Sequence, residues 1–232
     1  MLINDIDLAV FKGKLMNKDI QTAEVTIYND WLRKSLSPIY LGKQEKFKTI
    51  KMQILIEDDD TESCMIDISN LVHQFEKCTI KFDDLDFYYD CVISTTDSSR
   101  MTWGDKFLLN IELKSGYAYT TAITETMDHV ASKTFTVLGN LFTPVQISIT
   151  ASINTSTLTL TGFQCGPIVV NNLLAGIAKI ISGEACRVVQ EGANVFGDVD
   201  MLEFPSLEPG VNIIATSNSN CVITLTYKPK YI

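Results

Sequence analysis

Only three arginines, Arg33, Arg100 and Arg187, stand among the 232 residues, and no basic block accompanies them. Against 28 acidic side chains the chain sets 19 basic ones, for a net charge of −9. It lacks the Lys and Arg density that binds phosphate backbones, which argues against specific nucleic-acid binding. The six cysteines lie 14, 13, 74, 21 and 35 residues apart, so C-x-x-C is absent, and zinc-ribbon chemistry with it. The opening Met1-Leu2-Ile3-Asn4-Asp5 lacks the basic and apolar regions of a secretory signal. The cysteines are therefore expected to be reduced thiols, mostly on strands, in a protein made in a reducing cytoplasm. No apolar run reaches the roughly 18 residues of a membrane span, so no membrane partner is expected.

Catalytic groups are scarce as well. The two histidines are His73 and His129, and a catalytic imidazole needs a carboxylate and a nucleophile converging on it. Asp58-Asp59-Asp60 and Asp83-Asp84-Leu85-Asp86 could in principle supply paired carboxylates for glycoside cleavage. Asp is favoured at turns and N-caps for local reasons, and that reading is preferred. The second cluster also lacks the spaced loop and glycine of a calcium site, and residues 184–197 hold glycines without the lysine of a phosphate loop. The expectation is a protein that is not an enzyme, with no catalytic, cofactor or metal site.

What is present is a strand pattern. Hydrophobic residues make up 46% and charged residues 20%, a globular balance, and a chain of this length buries roughly 70% of its unfolded surface. Apolar and polar residues alternate with the period of half-buried strands over 24–28, 48–56, 78–82, 89–94 and 107–113. The alternation resumes over 133–138, 145–153, 156–164, 167–171, 185–190, 211–216 and 220–227. Two helices are predicted. Asn29 or Asp30 would cap a short one through Leu36, ended by Pro38. The second would follow the acidic run 58–60 to about Glu76, capped by Asp or Thr61, with Met65, Ile68, Leu71, Val72 and Phe75 on its apolar face.

Composition shifts near residue 117: both tryptophans and most of the charge precede it, whereas Thr, Ser, Asn and β-branched residues dominate after it. The domains expected are an α+β unit over 1–119, a linker (or a first edge strand) over 120–132, and a β-sandwich over 133–232, about seven strands in roughly 100 residues. The fold class is mainly β. Sandwiches of this size also serve as carbohydrate-binding scaffolds, so a stand-alone sugar-binding protein is the alternative function. The second half holds no tryptophan, and sugar sites usually present an aromatic face, which weakens that alternative.

Several stretches, in order, resemble the distal tail (Dit) family of long-tailed siphophages. Asn4-Asp5-Ile6-Asp7-Leu8-Ala9-Val10-Phe11 is similar to its opening strand and turn. Phe82-Asp83-Asp84-Leu85-Asp86-Phe87-Tyr88-Tyr89-Asp90-Cys91-Val92 resembles its F-D-D-x-D-x-Y-Y-x-A-x-V segment, followed by a strand closing at Gly116-Tyr117-Ala118-Tyr119. Asn140-Leu141-Phe142-Thr143-Pro144 precedes paired strands in the family's manner. Phe204-Pro205-Ser206-Leu207-Glu208-Pro209-Gly210-Val211-Asn212-Ile213-Ile214 is similar to its F-P-x-L-x-P-G-x-N-x-I signature, and 222–231 to its last strand. Locally, Pro209-Gly210 sets a tight turn and Asn212 can bond nearby backbone. The family's R-D-G-like stretch is missing, replaced by 29–47.

The resemblance implies a homo-hexameric ring at the virion tail tip, assembled in the host cytoplasm. A belt domain would stack between the tail-tube protein and the tail-associated hub or lysin protein. A galectin-like sandwich would point outward, where receptor-binding proteins attach. A ring needs a head-to-tail contact that closes, and Trp31, Leu36, Tyr40 and Phe47 are the ring-interface candidates; the competing reading is that they fill the monomer's own core. Part of the acidic charge is expected to line the bore, so that DNA passes without sticking.

Overall fold

A computed structural model describes residues 1–34, 36–101 and 105–232. The chain divides into two compact units, Met1–Tyr119 and Thr120–Tyr231.

In the first unit β1 (Leu2–Ile3), β2 (Ile6–Asp7), β3 (Gly13–Ile20), β4 (Val25–Asp30), β5 (Ile39–Glu45) and β6 (Lys48–Glu57) lead into α1 (Thr61–Phe75). Then come β7 (Lys77–Lys81), β8 (Tyr88–Arg100) and β9 (Lys106–Tyr119). One antiparallel sheet runs in the order β2-β1-β7-β8-β9-β6-β3. Alternation sets its two faces. Ile50, Met52, Ile54 and Ile56 of β6 are buried beside Phe107, Leu109, Ile111 and Leu113 of β9, with Ile54 opposite Leu109. Lys51, Gln53, Asn110 and Glu112 stand between them in sequence and so face the other way. Helix α1 packs against β6 to β9. Beyond the core, Asp90 accepts from Tyr119 Oη (2.9 Å) and Thr79 Oγ1 (2.7 Å), tying β7, β8 and β9 together.

The helix forms where expected, but its seam is rotated. Asp60 is the cap, its Oδ1 accepting from Ser63 N at 2.8 Å. The buried positions are Cys64, Leu71 and Phe75, with Ile68 half-buried between them. Met65, expected on the apolar face, is exposed. Cys64 behaves as a small hydrophobe and starts the 64, 68, 71, 75 repeat, turning Met65 to solvent. The short helix expected from Asn29 or Asp30 to Leu36 does not form. The β-branched and aromatic run Val25-Thr26-Ile27-Tyr28 continues as strand to Asp30 and pairs with β5. The carboxylate of Asp30 accepts from the adjacent Trp31 N at 2.7 Å, a turn contact and not a helix cap.

The second unit holds β10 (Ile123–Asp128), β11 (Ser132–Val137), β12 (Thr143–Ala151), β13 (Thr155–Thr161), β14 (Ile168–Leu173), β15 (Ala178–Ser182), β16 (Arg187–Gln190) and β17 (Ala193–Asn194). It continues with β18 (Val199–Asp200), β19 (Ser206–Leu207), β20 (Gly210–Thr216) and β21 (Cys221–Tyr227). The strands form two antiparallel sheets, β10-β21-β12-β15-β16-β17 and β11-β20-β13-β14-β18. Ile147, Ile181, Val188 and Leu225 of one sheet share a buried cluster with Phe135, Leu158, Val170 and Ile214 of the other, which makes the unit a sandwich. Residues 120–132, expected as a linker or a first edge strand, contain β10, which pairs with β21 from Ile123↔Tyr227 to Asp128↔Val222. Its Met127 is wholly buried, which anchors that edge.

Candidate assembly surface

Among the described residues, strands β4 and β5 pair only with each other. Their register runs from Val25↔Glu45 to Asp30↔Ile39, with a bulge between Tyr28 and Asn29. At the base, the backbone N–H of Lys46 donates to Glu24 O at 2.8 Å, and the Lys46 ammonium reaches the Glu24 carboxylate, also at 2.8 Å. That pairing holds the Glu24 carboxyl below its ordinary value and raises Lys46. Along the strands Tyr28 Oη donates to Gln44 Oε1 at 2.7 Å.

The hairpin is apolar yet uncovered. Trp31 is 60% exposed, Leu36 98%, Tyr40 62% and Phe47 62%, so none of the four fills the core of its own unit. Val25, Ile27, Tyr28, Leu32, Ile39 and Leu41 are exposed with them. These six escaped the sequence reading. The alternation over 25–28 marks a strand, but a strand exposed on both faces has the same local pattern as a half-buried one. An isolated two-stranded hairpin is marginally stable in water.

Two of the clefts on the first unit lie against its sheet. One, of about 390 Å³, is lined by Phe47, Val92, Gly116 and the side chains of Lys77 and Lys114. The other, about 470 Å³, is lined by Asn17, Asp19, Lys51, Gln53, Asp97 and Glu112, among others. Three acids there face one lysine.

The polar groups singled out for chemistry are engaged locally. Asp58 Oδ1 accepts from Asp59 N at 2.8 Å, and burial together with neighbouring Asp58 pushes the Asp67 carboxyl up. Asp83 pairs with the N-terminal amine at 2.8 Å and Asp84 with Lys18. Among the described residues no three His, Cys, Asp or Glu side chains converge as metal ligands would. His73 lies 3.2 Å from Glu76 on the exposed side of α1. His129 does join an acid and a hydroxyl: Nδ1 is 2.6 Å from Asp128 Oδ1 and Nε2 is 2.9 Å from Ser152 Oγ. Its carboxylate is 73% exposed, however, and Ser152 N is spent on Asn220 O at 2.9 Å. A hydrolytic triad needs a buried carboxylate and N–H groups left over for an oxyanion. The arrangement ties the turn after β10 to the end of β12.

The segment 204–214 is structural. Pro205 O accepts from Val145 N and Ser206 O from Gln164 N, both at 3.1 Å. Asn212 Nδ2 donates to Glu208 O (2.8 Å) and Gly210 O (3.0 Å), closing the turn that Gly210 makes at φ +101°.

Residues 138–231 match the family described as "Siphovirus-type tail component, C-terminal domain". No curated protein matches the chain in sequence. Among solved structures it is similar to the Dit protein of phage SPP1, described as a paradigm of the hub adsorption apparatus in phages infecting Gram-positive bacteria. The two are 10% identical, with a TM-score of 0.78 over 100% of this chain and 98% of that one. It is also similar to chains of the phage P2 baseplate in its activated conformation, with Ca (10% identical) and with Sr (9%), each at a TM-score of 0.56 over 95% of this chain and 92% of the other. At such identities the likeness to solved structures is one of fold, while the match over β12 to β21 is one of sequence. Residues 138–231, most of the second unit, thus resemble the siphovirus-type tail components in sequence, and over its whole length the chain has the fold of the SPP1 Dit protein.

Proposed function

We propose that six copies of this protein form a ring hub at the tip of a siphophage tail, between the tail-tube protein and the tail-associated hub protein. The first units make the belt, and the second units, galectin-like in fold, face outward toward the receptor-binding apparatus. The protein is structural and catalyses nothing. The observation that carries this reading is the uncovered hairpin, with Trp31, Leu36, Tyr40 and Phe47 as its contact residues.

A head-to-tail ring joins two different surfaces of the same chain, and it closes when the rotation between copies divides the circle. The apolar hairpin supplies one surface. The cleft beside Phe47, on the same unit, offers a second of different shape. Once covered, each large apolar side chain gains about 1.5–3 kcal/mol relative to exposure, enough in sum to offset the entropy of ordering six copies. The sheet face carrying Asp19, Asp97 and Glu112 is proposed to face the bore, where its charge repels passing DNA.

Negative-stain imaging of the purified protein tests the ring. Six-fold particles with an open centre are expected. Particles of one 25.9 kDa copy that stay single when the tail-tube and hub proteins are added would refute it.

A further inference from the structure

Cys78 on β7 and Cys91 on β8 stand directly opposite each other in the antiparallel register. Both are buried, at 4% and 2% exposure, and both are free thiols. Residues directly opposite in such a pair point to the same face of the sheet. Their Cα atoms lie about 4.5 or about 5.5 Å apart, according to the hydrogen-bonding of the pair. Either spacing falls within the roughly 4.4–6.8 Å between Cα atoms of a disulfide, and the Cβ atoms, about 4.5–5.5 Å apart, need to close by on the order of 1 Å. Cys91 Sγ donates to Tyr89 O at 3.5 Å, and Cys91 stands opposite buried Ser115 of β9.

We propose that Cys78 and Cys91 are an oxidisable pair, which a small-molecule disulfide converts into a cross-strand disulfide joining β7 to β8. The other cysteines are placed differently. Cys64 lies on α1 and Cys221 stands opposite Ala151, and Cys186 is exposed.

The chemistry is thiol–disulfide exchange. One of the two thiolates attacks one sulfur of the reagent, RS–SR, forming a mixed disulfide and expelling RS⁻. The other cysteine then attacks the protein sulfur of that mixed disulfide, forming the protein disulfide and expelling the second RS⁻. The two cysteine protons end on two molecules of RSH, and the two electrons lost by the protein reduce the reagent. Neighbouring Cys78, with burial, pushes the Cys91 thiol up. The reagent enters by local opening of the sheet at β7, whose other neighbour, β1, is two residues long. A protein made in a reducing compartment carries the open pair, and oxidising surroundings close it.

The test uses the full chain with Cys186→Ser, which removes the exposed thiol. Native protein is incubated with oxidised glutathione, the remaining thiols are alkylated, and a non-reduced tryptic digest is mapped by mass spectrometry. Cleavage after Lys77, Lys81 and Arg100 separates Cys78 from Cys91, so the link is read directly. The expected product joins those two peptides, and the intact protein is about 2 Da lighter than the reduced one. A reducing agent should reverse the change, and the oxidised form should melt on the order of 10 °C higher. Recovery of both cysteines alkylated, glutathione adducts without the link, or a link to another cysteine would each overturn the proposal and leave the pair as core packing.

Discussion

Lys179 is wholly buried, and its Nζ lies 2.8 Å from Asp198 Oδ2. The same ammonium donates to Asn171 O at 2.8 Å, while Asn172 Nδ2 donates to the other Asp198 oxygen at 2.9 Å. A charge without water must find such partners, since removing one leaves the other buried and uncompensated. Lys179→Met keeps the stem and deletes the charge. It strips Asn171 O and Asp198, whose side chain is 28% exposed, of their donor and should lower unfolding stability by about 1 kcal/mol, read as a fall in the urea midpoint at pH 7. An unchanged midpoint would mean that the pair contributes nothing net.

The same pair sets a pH dependence. The hydrogen bonds from Lys179 and Asn172 hold the Asp198 carboxyl below its ordinary value. Its contribution is therefore full above the unfolded carboxylate value of about 3.9 and is lost as pH falls through the lower folded value. Urea midpoints for the native chain and for Asp198→Asn should differ at pH 6 and converge as pH drops below about 4. A gap that stays constant down to pH 2 would contradict this.

Lys179 also explains a strand that the sequence hid. Most strands were legible from alternation, among them β6, β9, β12 and β21, because a half-buried strand writes its inner face in apolar residues. Strand β15 was missed since a lysine occupies one of its core positions. The hairpin was misread for the converse reason: its apolar residues face no core, so nothing local separated Asn29-Asp30 at a strand end from a helix cap. All four candidate contact residues were named for the ring that the resemblance implies, against the reading that they fill the monomer's core, and only the structure shows that they are exposed.

Gly162 takes φ +100°, and a Cβ there would fall 2.0 Å from Ile213 O. Gly162→Ala combines backbone strain with a clash against backbone and should cost at least about 1–3 kcal/mol, seen as a lower melting temperature. Gly116→Ala has nothing within 4 Å and should stay within about 0.5 kcal/mol of the parent. Equal melting temperatures for the two variants would refute the account of Gly162.

Asp60→Ala removes the side chain that caps α1 through Ser63 N. A loss of about 1 kcal/mol is expected, and Asp60→Asn should recover most of it. If Asn fails to rescue, the effect of Asp60 is not capping.

The central claim is that the hairpin carries assembly, and the light-scattering mass in solution tests it most directly. Each copy is 25.9 kDa. The native chain should weigh six times that. The variant with Trp31, Leu36, Tyr40 and Phe47 all changed to Ser should weigh one copy, with an unchanged far-UV spectrum. A variant that still assembles, or a native chain that keeps single-copy mass when the tail-tube and hub proteins are added, would contradict the account.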